Sequence, residues 1–235
     1  MLPSEQVHVC AWHIDRTPAA SDWKLLNEEE TLRAQRFVFP RDRDRYVCAH
    51  STLRRLLGSY CQIAPERIFF STTDYGKPAI QPTGDGEPLQ FNLSHSGGLA
   101  VLAVSRQYPL GVDIERIRDI DPDVAEHHFS SRELQTLKSL PAEIRLAGFY
   151  RCWTSKEALL KGEGLGLNLP LDSFDVEAHP MRAPALLASR SQSNLQEAWA
   201  LFALQPTHDT LGAVAVRNAG ADLTADAIQC FSLNE

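Results

Sequence analysis

Three apolar runs in the middle of the chain, Leu89–Ser94, Leu99–Ser105 and Leu110–Ile117, are broken only by Gly97-Gly98 and by Arg106–Pro109. Turns this short predict antiparallel neighbours. The flanking segments are mixed. Val7–Ile14 reads as a first strand. Asn27 followed by Glu28, Glu29 and Glu30 is an N-cap with acids at the positive end of a helix, and Arg33 and Arg36 fall towards its other end. Pro40 opens a second helical stretch with Gly58 as its stop, and Ile68–Ser71 follows as a short strand. Tyr75-Gly76-Lys77-Pro78 is a turn, and Gln81–Pro88, rich in Gly and Pro, an exposed connection. Further on, Ser130 and Glu133 have capping-box spacing, and Pro141 opens a long helix ending at Gly162. Four more strand-like runs close the chain: Ser173–Ala178, Trp199–Leu204, Leu211–Arg217 and Ile228–Leu233. Without regular β-α-β alternation, this order predicts an α+β fold with antiparallel sheets, in two α/β lobes spanning 1–108 and 109–235.

With 235 residues, 43% of them hydrophobic and 23% charged, the chain has the composition of a globular protein with a real core. No apolar run approaches the roughly 18–20 residues of a membrane span, and the first residues lack the pattern of a signal peptide. The five cysteines are scattered and never form C-x-x-C, which predicts a reduced, cytoplasmic protein. The net charge of −7 argues against nucleic acid as a partner. Yet between Arg33 and Arg55 there are seven arginines against Asp42 and Asp44. A basic block on an acidic chain suits a small polyanionic ligand, or else forms a solvated helix face.

In Gly111-Val112-Asp113-Ile114-Glu115 the period of two sends Val112 and Ile114 to one face and both carboxylates to the other. Side-by-side carboxylates repel unless a cation lies between them, and all-oxygen ligands point to Mg²⁺. The alternative is a wet, charged strand face. In the long helix, Leu146, Phe149, Tyr150, Trp153, Glu157, Leu160 and Lys161 follow at three- and four-residue steps, which predicts Glu157 on a buried stripe. A buried carboxylate needs an ion or donors, whereas an intrahelical Glu157–Lys161 pair would belong on the surface. Phe91-Asn92-Leu93-Ser94-His95-Ser96-Gly97-Gly98 puts hydroxyls, an imidazole and glycine amides at a strand end, either a phosphate cradle or ordinary turn chemistry. The G-x-S-x-G motif is absent, and Gly76-Lys77 runs into Pro78, so neither a hydrolase elbow nor a Walker loop is present.

Gly76-Lys77-Pro78, Phe91–Ser96, Gly111–Glu115 and Trp153-Thr154-Ser155-Lys156-Glu157-Ala158-Leu159-Leu160-Lys161 together resemble the 4′-phosphopantetheinyl transferase superfamily, in its two-lobed, surfactin-synthetase-activating class. The resemblance implies two similar α/β lobes with the active site in the cleft between them. It implies transfer of phosphopantetheine from coenzyme A to a serine of an apo acyl or peptidyl carrier protein, releasing 3′,5′-ADP. Asp113, Glu115 and Glu157 match the metal ligands, for Mg²⁺ with Mn²⁺ as an alternative ion. Catalysis is then expected from Glu157, Lys161 and Asp113. Coenzyme A is expected at Arg33, Arg45, Lys77, Pro78, Ser94, His95, Lys156 and Lys161. A basic residue common one turn before Arg33 is replaced here by Glu30, so Arg36 is a candidate to share the 3′-phosphate. A monomer is expected. The competing readings are a non-catalytic module that binds coenzyme A or a carrier, and a metal-dependent phosphoesterase.

Overall fold

The computed structural model describes residues 2–81, 89–121, 123–164, 169–190, 195–217 and 223–233. Most of the loop expected at Gln81–Pro88 lies outside the described residues. The first part comprises β1 (Val7–His13), α1 (Ala20–Trp23), α2 (Glu28–Gln35) and α3 (Pro40–Cys61). A short hairpin follows, β2 (Phe70–Thr72) and β3 (Pro78–Ile80), then β4 (Gln90–Ser96), β5 (Leu99–Ser105) and β6 (Leu110–Arg116). Next come α4 (Asp123–His128), α5 (Ser131–Ser139), α6 (Ala142–Glu163), β7 (Phe174–Val176) and β8 (Leu186–Ser189). The chain closes with α7 (Leu195–Ala198), β9 (Trp199–Thr207), β10 (Thr210–Arg217) and β11 (Ile228–Ser232).

Two main sheets carry the fold, ordered β11-β1-β5-β4 and β6-β10-β9. Alternation along the strands stacks them in layers. Trp12, Ala100, Leu102 and Val104 face α3, packing on Cys48, Leu53 and Leu57. Their neighbours Val9, Val101 and Ala103 face the second sheet, meeting Val112, Ile114 and Val214. The opposite face of the second sheet, with Ala213 and Ala215, packs on α6. The order is therefore α3, sheet, sheet, α6. β5 is buried on both faces, which explains its unbroken run of apolar residues.

Several expectations are corrected. β4 and β5 pair antiparallel, but β5 and β6 do not pair at all: residues 106–109 carry the chain from one sheet to the other, where β6 pairs with β10. β11, sequence-distant from the first sheet, returns to it and runs parallel to β1. Gly58 does not stop α3. A side chain there would press on the Ile63 carbonyl, and the left-handed cap is Gln62, with φ of 58°. α6 ends at Glu163 with Gly164 as its left-handed cap, and Pro141 is its N-cap. The short strand starts two residues late, at Phe70, because Pro65–Arg67 form a helical turn. α1 and β8 are too short to show a period. The Asn27–Glu30 and Ser130–Glu133 capping boxes form as their spacing predicts.

The contact that sets the site is between α6 and β6. A Cβ on Gly111 would overlap the Ala158 carbonyl and the Gly162 amide, so only glycine lets the helix backbone lie this close to the strand. Gly111→Ala is expected to cost about 1–3 kcal/mol by overpacking. Urea denaturation tests it; parent-like stability would show that the helix can retreat freely.

Candidate active site

β4 and β6 are facing edges of the two sheets, and side chains join them. Val112 N–H donates to Asn92 Oδ1 (2.9 Å), Ile114 N–H to Ser94 Oγ (3.3 Å) and Arg116 N–H to Ser96 Oγ (3.1 Å). The two serine hydroxyls then donate onward, Ser94 to Asp113 Oδ1 (3.0 Å) and Ser96 to Glu115 Oε2 (2.6 Å). The period of two in Asn92-x-Ser94-x-Ser96 thus serves the seam, and the hydroxyls sit on carboxylates. The other face of β4, with Phe91 and Leu93, turns to the α3 side, and His95 is close enough to His50 of α3 to feel its charge.

α6 brings Glu157 and Lys161 over this seam. Lys161 Nζ lies 2.6 Å from Asp113 Oδ1 and 3.1 Å from Ser94 Oγ. Ser94, His95, Asp113, Glu115, Glu157 and Lys161 line one cavity of about 330 Å³, with Leu93 and Trp153. Glu157 is half-buried and reaches the cavity, while the helix's deeply buried face runs through Cys152, Ser155, Lys156 and Leu159. The stripe read through Trp153 and Glu157 is therefore the margin of the buried face and not its centre.

The electrostatics are strained. Burial drives the Asp113 carboxyl up to about 6, against the pull of Lys161, and Glu115 and Glu157 push it the same way. Glu157 is also raised, by burial first and by Glu115, with Lys161 and His128 opposing. Asp113 Oδ2 is buried without a hydrogen-bond partner. His95 is pushed down by desolvation, then by His50 and Lys161. Among the described residues, no three His, Cys, Asp or Glu side chains stand close enough to enclose a metal ion as they are placed. The donor set nevertheless suits a hard cation: oxygens only, one of them orphaned, two of the carboxyls raised.

Lys77 and Pro78 line an adjoining cavity of about 270 Å³ that shares Leu93, Glu157 and Lys161 with the first. The Lys77 ammonium donates to the carbonyls of Leu110 (2.9 Å) and Gly162 (2.8 Å), and burial pushes it down to about 8. It ties the turn to the start of β6 and the end of α6. Lys156, expected to bind coenzyme A, does not reach the cleft. It is fully buried, 2.8 Å from Glu133 Oε1, and donates to the carbonyls of Leu171 and Phe174. Adjacent helix positions point about 100° apart, so Lys156 and Glu157 cannot serve one site. Arg45 is held by Asp15 in a bidentate pair (2.6 and 2.9 Å), and Arg33 lies over the Tyr46 ring, 5.6 Å from its centroid. Neither lines the two cavities. Arg36 caps α2 in solvent.

Sequence reasoning placed Ser96 in the strand-end motif without a role of its own and passed over Tyr46 and His50. The place of Ser96 as the next step of two beyond Ser94 was legible. Tyr46 and His50 were legible only as an i, i+4 aromatic pair on α3.

Residues 109–213 match the family model of the 4′-phosphopantetheinyl transferase superfamily, and residues 11–107 that of the 4′-phosphopantetheinyl transferase N-terminal region. The chain belongs to the 4′-phosphopantetheinyl transferase superfamily. It is 34% identical over 226 residues to the 4′-phosphopantetheinyl transferase HetI of Nostoc sp., covering 93% of this chain and 91% of that one. It is 35% identical over 155 residues to the 4′-phosphopantetheinyl transferase Sfp of Bacillus subtilis, covering 66% and 67%. A holo-[acyl-carrier-protein] synthase of Thermotoga maritima overlaps it with a TM-score of 0.38 at 15% identity, over 47% of this chain and 64% of that one, too low to argue from.

The raised Asp113 carboxyl has a signed consequence for stability. Its folded value, about 6, lies above the unfolded 3.8. Between these the folded state holds more protons, so the residue's contribution falls as pH rises through that window and stays low above it. The loss is roughly 2–3 kcal/mol. In chelator, Asp113→Asn is expected to gain stability relative to the parent between about pH 4 and 6; parallel melting curves across that range would contradict it.

Proposed function

We propose that this chain transfers the 4′-phosphopantetheine of coenzyme A to a serine of an apo acyl or peptidyl carrier protein and releases 3′,5′-ADP. Family membership supports the reaction. The observation that carries the reading for this chain is Asp113, Glu115, Glu157 and Lys161 lining one cavity, with a buried carboxylate oxygen left unpartnered. Residues 1–108 are proposed to hold most of the nucleotide, and residues 109–235 to supply the carboxylates and Lys161.

Asp113, Glu115 and Glu157 are the residues proposed to hold Mg²⁺. When bound there, the ion supplies neutralisation of the diphosphate charge. Lys161 binds the diphosphate with its ammonium, which already sits on the seam beside Asp113 and Ser94. The carrier serine oxygen bonds to the β-phosphorus as the bond from that phosphorus to the bridging oxygen breaks. The electron pair leaves on 3′,5′-ADP, where Lys161 meets the developing charge. The serine proton goes towards Glu157, directly or through a water molecule, since a carboxylate that also holds the ion is a weak base on its own. Ser94 and Ser96 hold Asp113 and Glu115 in place, and the Tyr75–Pro78 turn, anchored through Lys77, closes the adjoining cavity for the nucleotide. The active protein is proposed to be a cytoplasmic monomer, in keeping with its scattered cysteines.

Mass spectrometry of an apo carrier incubated with coenzyme A, Mg²⁺ and this protein should show the added phosphopantetheine. Release of 3′,5′-ADP without any carrier would favour a phosphoesterase instead. Asp113→Ala, Glu157→Gln and Lys161→Ala are each expected to reduce transfer by about 10²–10³-fold, while coenzyme A still binds. Mg²⁺ should raise the melting temperature of the parent but not of Asp113→Ala. Parent-like transfer by Asp113→Ala would sink the metal assignment.

A further inference from the structure

Beside His95, on the side of β4 away from the carboxylates, lies a group of side chains that the reaction above leaves unused. His50 and Tyr46 are one turn apart on α3 and stack, with ring centroids 4.0 Å apart and planes inclined by 27°. His50 Nδ1 lies 3.2 Å from Glu30 Oε1. Glu30 itself is turned inward: its Oε2 accepts from the Asn27 N–H (2.9 Å) and from Nε of the fully buried Arg54 (2.7 Å). Its side chain is only 9% exposed, against 21% for His50. The Glu30 charge is thus already answered by Arg54, and His50 is the member of the trio that reaches solvent. Its Nε2 has no hydrogen-bond partner among the described residues.

The surroundings are cationic. The charged and titratable groups about His50 are Glu30, Arg33 and Glu29 from α2, Tyr46 and Arg54 from its own helix and His95 from β4. Arg33 sits over the ring that His50 stacks on, and His50 acts on His95 as one positive group on another. Three elements therefore present nitrogen donors to one patch, and the acid in contact with His50, Glu30, has its oxygens occupied. A planar donor fixed by a carboxylate behind it and an aromatic ring beneath it is pre-organised for a doubly charged phosphate.

We infer that His50, held by Glu30, is a further binding residue for the 3′-phosphate of coenzyme A; this rests on the reading that coenzyme A is the donor. Glu30 holds its Nδ1, and its Nε2 is the nitrogen offered to the phosphate. Glu30 is a positioning residue, which accounts for an acid one turn before Arg33.

Calorimetry with coenzyme A and with dephospho-coenzyme A, which lacks that phosphate, tests the assignment on the full chain. The parent should prefer coenzyme A. His50→Gln should weaken coenzyme A by about tenfold, the scale of one charge-assisted hydrogen bond, and leave dephospho-coenzyme A within about twofold of the parent. His50→Arg, which keeps a charged planar donor at the same partly exposed position of α3, should retain most of the preference. An unchanged preference in His50→Gln, or an equal loss for both ligands, overturns the assignment while the donor reading stands. A parent that binds neither ligand overturns the donor reading and this assignment with it.

Discussion

The seam between β4 and β6 is the interaction on which the site depends. Two sheet edges normally meet through backbone hydrogen bonds or are kept apart, because an unpaired edge is costly to bury. Here Asn92, Ser94 and Ser96 supply side-chain oxygens where a neighbouring strand would supply carbonyls. That substitution spaces the strands and leaves hydroxyl protons to spare. The same Ser94 and Ser96 use them on Asp113 and Glu115. Joining the two sheets and aiming the carboxylates are therefore one set of hydrogen bonds, and a change to either serine affects both.

Two kinds of buried charge stand side by side in this molecule. Glu133 and Lys156 are fully buried, and the remaining donors and acceptors around them are filled: Glu133 caps α5 and accepts the Val176 N–H, and Lys156 meets two carbonyls. Asp22 likewise gathers Arg16, Arg55, Ser51 and the Ala19 N–H; burial would raise it, but these donors hold it below the usual carboxylate range. Asp113 differs. Its pairing with Lys161 is short, yet one oxygen is unpartnered and two further carboxylates stand near. Satisfied pairs stabilise a fold, whereas an unsatisfied carboxylate in a cavity marks a candidate functional site.

The basic block divides in the same manner. Arg43, Arg45, Arg54 and Arg55 are each tied to a carboxylate, on Asp44, Asp15, Glu30 and Asp22. Arg33 lies on an aromatic ring and Arg36 stands in solvent. Counting arginines along the chain therefore overstates the charge presented to a ligand, since several are spent within the fold.

Local physics was readable from the chain. The capping boxes at Asn27–Glu30 and Ser130–Glu133 involve residues three apart, so spacing alone defines them, and period two places Asp113 and Glu115 opposite Val112 and Ile114. The motifs also pointed to the superfamily, because they lie in order along one chain. What no local pattern could supply was the pairing across distance. That β6 leaves β5 for β10, that β11 returns to β1, and that Lys156 turns to Glu133 while Lys161 turns to Asp113 all depend on which surfaces meet. A short turn limits where the next strand starts but not which sheet takes it, and a lysine's partner is whichever group the packed helix brings within reach. Sequence alone determined the elements and the chemistry they carry. Tertiary structure decided the seam, the Lys77 tie and the Glu30–His50 pair, because each joins residues whose closeness exists only once the layers have packed.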